Sequence, residues 1–189
     1  EAKRPPRAAG ADEQSVFHHT STIRLARSIN AHKDSVESLA QLANGAQLVS
    51  AGADGAIKIW DTQGGQLLRT LKGHRRSVNA IAVSPDGGLM VSAGNESDLF
   101  LWDPSSGKRL GTLAGHVYDV YAGACSPDGQ WLAAAGRDRT VILWDLGKRQ
   151  LAKKFEGHED SVLTLAFSPK GRWLLSGDKA GQLKRWNVG

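Results

Sequence analysis

Four histidines and four tryptophans recur through this chain at one interval. His32, His74, His116 and His158 stand 42 residues apart, and Trp60, Trp102, Trp144 and Trp186 follow them at a constant offset of 28. A fixed period of this length marks an array of like units, each too small to bury its own apolar face alone. The turn signals keep the same period. They read Ser84-Pro85-Asp86-Gly87, Ser126-Pro127-Asp128-Gly129 and Ser168-Pro169-Lys170-Gly171, with a weaker Ala43-Asn44-Gly45 in the first unit. Between the turns lie short apolar stretches, in the second unit Val78 to Val83, Leu89 to Ala93, Leu99 to Asp103 and Lys108 to Leu113. Runs of about five residues between such turns are a strand-and-hairpin signature, and no window sustains a helical period. The chain is therefore all-β.

Composition narrows the function classes. The 189 residues are 40% hydrophobic with 22 glycines and a net charge of +5, which excludes wholesale disorder. No apolar run approaches the roughly 20 residues of a membrane-spanning helix. A single cysteine, Cys125, excludes an intramolecular disulfide and a zinc ribbon, and inside a predicted strand it reads as a small core filler. There is no phosphate-cradling glycine loop and no His-Glu-x-x-His helix, so neither an enzyme nor a cofactor is expected. The chain begins at Glu1, and Met90 is its only methionine, which suggests a processed product or a piece of something longer. The compartment is left open by these data.

The Gly-His and Trp-Asp markers (Gly73-His74, Gly115-His116, Gly157-His158; Trp60-Asp61, Trp102-Asp103, Trp144-Asp145) resemble the WD40 repeat, over about nine tenths of the chain. The resemblance implies β-propeller blades, each a four-stranded antiparallel sheet. It also implies a buried chain of His, Ser or Thr, Trp and Asp in each blade. Unit one matches fully with His32, Ser50, Asp54 and Trp60. Unit two has His74, Ser92 and Trp102, with Glu96 at the acid position. Unit three has His116, Asp138 and Trp144 but Ala134 at the hydroxyl position. Unit four has His158, Ser176 and Trp186 but Ala180 at the acid position. Blades three and four are accordingly expected to be locally less rigid. Histidines in four separate blades cannot converge on one metal.

Residues 22–189 read as four units preceded by a tail or linker at 1–21, and Phe17-His18-His19 as a polar lead-in. Thr22 to Ile29 reads as an outer strand like Gln66 to Leu71, while the last unit stops after its third strand. Four such blades fit a closed ring poorly, and a half-ring exposes two apolar faces. The expected solution is a homodimer, an eight-bladed ring in which 22–29 completes the last blade of a partner chain. A four-bladed monomer and a fragment of a longer propeller are the alternatives.

The family implies a rigid platform for a protein or peptide partner, and fold analogy alone does not name it. The loops after each Gly-His and their flanks supply the candidate contacts Glu37, Arg75, Arg76, Asn79, Tyr118, Asp119, Tyr121 and Arg137, with Arg75, Arg76, Tyr118, Tyr121 and Arg137 suited to an acidic or extended peptide. Nucleic acid or another anionic surface is the second reading, through Arg69, Lys72, Lys108, Arg109, Lys148, Arg149, Lys153 and Lys154. Asp34, Glu156, Glu159 and Asp160 interrupt that stripe. An accessory domain of a larger protein is the third.

Overall fold

The computed structural model describes residues 27–189. The first sheet contains β1 (Val36–Gln41), β2 (Gln47–Gly52), β3 (Ile57–Asp61) and β4 (Leu67–Leu71). The second contains β5 (Val78–Val83), β6 (Met90–Gly94), β7 (Glu96–Trp102) and β8 (Arg109–Leu113). The third contains β9 (Val120–Cys125), β10 (Trp131–Gly136), β11 (Val141–Asp145) and β12 (Gln150–Phe155). The last contains β13 (Val162–Phe167), β14 (Trp173–Asp178) and β15 (Leu183–Asn187). Each sheet is an antiparallel meander in chain order. Three have four strands, and the last has three among the described residues.

Local chemistry explains the repeats. In the β5–β6 hairpin the Ser84 hydroxyl donates to Asp86 at 2.5 Å and accepts the Leu89 N–H at 2.9 Å, closing the turn on itself. Gly87 then takes a left-handed φ of 72°, as do Gly45, Gly129 and Gly171 at the same step of the repeat. A Cβ at that φ is strained, which is why glycine recurs there. At the other end of the inner hairpin the backbone of Ser77 crosses so close to Gly94, and Asp119 to Gly136, that no Cβ fits. Outer strands carry no such crowding and are largely exposed.

The blades stack in order, β1 on β5, β5 on β9 and β9 on β13, and no comparable packing joins β13 back to β1. Three apolar cores fill the junctions. Val49, Ala51, Ile57 and Ile59 of the first blade meet Val78, Met90 and Phe100 of the second. Val91, Leu99 and Leu101 meet Leu132, Ile142 and Trp144. Ala133, Val141 and Leu143 meet Val162 and Leu174. The molecule is thus an open arc, not a self-closed quartet. Cys125 lies half-buried at the end of β9, and burial pushes its thiol up to about 12.

The arc leaves two faces uncovered. Val36 is 46% exposed, whereas Val78, Val120 and Val162 at the same step are fully buried. At the other end Leu183 is 75% exposed, while its counterparts Ile57, Leu99 and Val141 are at most 1% exposed. Arg185, its guanidinium 4.3 Å from the Trp173 ring, takes the position of the buried Ile59, Leu101 and Leu143.

The N-terminal segment is described only from Arg27 onward. Thr22 to Ala26, the 1–21 tail and Phe17-His18-His19 lie outside the described residues. Arg27 to Ile29 form no strand. The side chains of Arg27 and Ile29 lie against Gly65 and line a pocket with Leu39 and Trp60 on the open face of the first blade. Ile29 there offers its apolar side chain to the face that lacks a covering blade.

Candidate functional site

In three of the four blades a polar chain runs from a tryptophan on the third strand through a serine on the second to a histidine in the loop before the first. In the first, the Trp60 indole N–H donates to Ser50 Oγ at 2.8 Å, Ser50 lies 2.7 Å from His32 Nε2, and His32 Nδ1 lies 2.9 Å from Asp54. The donor inventory fixes the directions. The serine proton goes to Nε2, so Nδ1 carries the imidazole proton and gives it to the carboxylate. Burial works against the Asp54 charge, but the N–H groups of Lys33 and Ala56 and the His32 ring outweigh it and bring the carboxyl to about 2.

The second blade repeats the chain with Glu96, 3.2 Å from His74 Nδ1, and with Ser92 bonded to both His74 (2.7 Å) and Trp102 (2.8 Å). Burial lowers the His74 pKa, the Glu96 carboxylate opposes that shift and nearby Arg109 adds to it. In the third blade His116 Nδ1 donates to Asp138 at 2.7 Å, but Ala134 has no hydroxyl to offer. His116 Nε2 is a buried side-chain polar atom without a partner.

The fourth blade corrects the sequence expectation. Ala180 is not a gap, because Asp178 supplies the acid, 2.7 Å from His158 Nδ1. Its other oxygen accepts the Gln182 N–H at 2.8 Å, so a carboxylate at the end of β14 reaches the place that Asp54 reaches from the turn. Ser176 and Trp186 complete the chain at 2.6 and 2.7 Å. The fourth blade therefore has no polar deficit to loosen it. These chains and the His116–Asp138 pair are structural members of separate blades.

The loops after each histidine open on one edge of the arc, and they differ. Val117 and Tyr118 are 71% and 57% exposed. The Arg137 guanidinium lies 5.7 Å from the Tyr118 ring and 3.7 Å from Asp119. The loop is pinned on both sides, by Val117 N–H to Asp138 and by Arg137 N–H to the Asp119 carbonyl. Tyr121 is half-buried. Asn79 is half-buried and engaged. Its amide donates to Asn95 Oδ1 and to the Val120 carbonyl of the next blade, at 2.8 and 3.0 Å, and so ties two blades together. Glu37 accepts the Ser35 hydroxyl. Arg75 and Arg76 are exposed and line a pocket of ≈ 440 Å³ with Glu96, Ser97, Asp98, Phe100 and Arg109, a set that does not include Tyr118. Phe100 did not announce itself in the sequence as a site residue, and Arg109 stood out only among the rim cations of the anionic-surface reading. The only signal for Phe100 was an aromatic where other units carry Lys58, Ile142 and Lys184.

The family pattern "WD domain, G-beta repeat" matches residues 17–61, 65–103, 107–145 and 149–187. The chain belongs to the WD40-repeat family. A solved structure described as "Structure of U3-55K" superposes on it with a TM-score of 0.80 at 23% identity, covering 86% of this chain and 51% of the other. This WD40 chain therefore spans about half the length of that relative. At that identity the likeness speaks for the fold alone. No curated protein matches. WD40 propellers commonly serve as scaffolds for protein interaction, and among the described residues no helix is long and apolar enough to cross a membrane.

Proposed function

We propose that this WD40 chain is a non-catalytic platform that grips an extended segment of a protein partner along its loop edge. The supporting observation is the third-blade loop. It holds an apolar and an aromatic side chain out in water while its backbone is hydrogen-bonded at both ends. Exposed aromatics cost little entropy to immobilise when the loop is already fixed, and Tyr and Arg dominate interface energetics. Tyr118 with Arg137 forms the anchor, and Arg75 and Arg76 extend the edge toward acidic parts of the partner. Asp119 lends Arg137 a counter-charge at 3.7 Å, and half-buried Tyr121 flanks the loop. Glu37 and Asn79 have supporting roles, the first at the loop of the first blade and the second between blades.

The double variant Tyr118→Ala/Arg76→Ala tests this. Both side chains are exposed, so the melting temperature is expected to stay unchanged. Affinity for a partner captured from native lysate should fall about thirtyfold, the scale of one hot spot. Equal affinity removes the loop edge from the function.

A second reading follows from the uncovered faces. We propose that two copies close into an eight-bladed ring, with 22–29 of each chain supplying the outer strand beside the partner's β15. Leu25-Ala26-Arg27-Ser28-Ile29 matches Leu67-Leu68-Arg69-Thr70-Leu71 residue for residue in character. By the register Ile57↔Leu71, Ile29 would face Leu183. The same register sets Arg27 opposite Arg185, a like-charge pair that weakens the junction.

A further inference from the structure

The pocket at the rim of the second blade is the repeat's own hairpin rebuilt. In the other three blades the hairpin between the second and third strands turns through a left-handed residue, Gly55 (φ 76°), Arg139 (φ 63°) or Gly181 (φ 86°). At that step the second blade has Ser97 without a left-handed φ, and β7 starts at Glu96 instead of at the step of Leu99. The pocket's floor is also unlike its siblings. The Phe100 ring is stacked by His74 at 4.3 Å and by the Arg109 guanidinium at 3.5 Å. The Arg109 Nη2 donates to Thr112 at 2.7 Å, so an exposed, long side chain is laid flat in one place.

Charge decides what such a pocket takes. Arg75, Arg76 and Arg109 form no ion pair among the described residues. The Glu96 carboxylate is already engaged, accepting the Arg75 N–H at 2.7 Å and facing His74. With Asp98 on the wall, three guanidinium groups face two carboxylates and leave one positive charge over. We infer that this pocket receives a single carboxylate side chain of an extended acidic peptide, with Arg109 as the preorganised fork. A planar guanidinium pairs with a carboxylate through two parallel hydrogen bonds, and holding the fork in advance lowers the cost of binding. A phosphate dianion matches less well, because Glu96 and Asp98 would face its second charge. The homologous pocket of the first blade, lined by Lys33, Lys58 and Lys72, offers a second cationic stop for a following acid. The inference rests on the platform reading and adds the ligand chemistry of a second contact point.

Titration of the full chain with a short Glu/Gly peptide, followed by fluorescence anisotropy, tests it. The peptide is expected to bind about tenfold tighter than its Gln/Gly counterpart. Arg109→Gln is expected to abolish that preference, while Tyr118→Ala leaves it within about twofold. If Arg109→Gln loosens the Phe100 stack and lowers the melting temperature, Arg75→Gln, exposed and outside the stack, is read in its place. Equal binding of the Gln peptide, tighter binding of a phosphoserine peptide or of single-stranded RNA, or a preference that survives both arginine variants overturns the assignment. Failure of the peptide with partner capture still dependent on Tyr118 removes the pocket and leaves the platform standing.

Discussion

Val36 and Val78 hold the same step of the repeat and meet opposite environments, the first 46% exposed and the second fully buried. Leu183 and Leu99 differ in the same way at the other end of the arc. Neither contrast lies in the blade's own sequence. Each blade presents one apolar face to the blade before it and one to the blade after, so burial is a property of the junction. Stability in such an array is nearest-neighbour, and its ends are the places where an interaction is still owed.

The largest expected effect separates the two valines. Val78→Asp places an unpaired charge in a dry junction and costs about 4 kcal/mol or more, enough to lose the cooperative melting transition. Val36→Asp should leave the fold intact and, if two copies close the ring, abolish self-association in sedimentation. A single 20.2 kDa species for the unsubstituted chain at all concentrations would remove the two-copy reading. Arg185→Leu sharpens the same comparison, because it restores the Ile59, Leu101 and Leu143 pattern and should tighten the association.

A smaller effect separates the third blade from the others. Ala134→Ser gives His116 Nε2 the hydroxyl that Ser50, Ser92 and Ser176 give elsewhere, and should raise stability by about 1–2 kcal/mol, read as a higher urea midpoint at unchanged slope. Ser92→Ala should cost a similar amount. A destabilised Ala134→Ser protein would mean that the junction has no room for the oxygen, since Ala134 is itself fully buried.

The smallest effect is the pH dependence from His74. Its folded pKa lies below 6.5, chiefly through burial. The unfolded chain therefore takes up the proton first, and the histidine's contribution is present above pH 6.5 and lost as pH falls toward the folded value. The melting temperature should decline over that window, and His74→Gln should flatten the decline. The acids act lower. Asp54 and Asp138, both at about 2, contribute stability that is lost as pH drops from about 4 through 2.

Strands and turns could be read in advance because the period repeats them four times, and β5 to β8 begin and end within a residue or so of the apolar stretches, apart from the early start of β7 at Glu96. Counting along the period failed where the backbone path changes and the chemistry does not. Ala180 occupies the counted acid position, but Asp178, the one acid between Ser176 and Trp186, reaches the same histidine from two residues earlier. The missing hydroxyl at Ala134 was visible because a methyl group cannot be replaced by a neighbour's path. The tie that Asn79 makes between blades was not legible because its partner, the Val120 carbonyl, belongs to another blade. The Phe100 and Arg109 stack was hidden for a related reason. A long side chain on an outer strand chooses its resting place in three dimensions, and no spacing rule records it.

Cys125 carries one more consequence. Burial holds this thiol at about 12, so little of the sulfur is in the nucleophilic form near neutrality, and its alkylation is expected to be slow while the strand is in place. The rate at which it reacts is then a clock for the opening of the third blade. Since the chain has no other thiol, that clock runs without a competing signal.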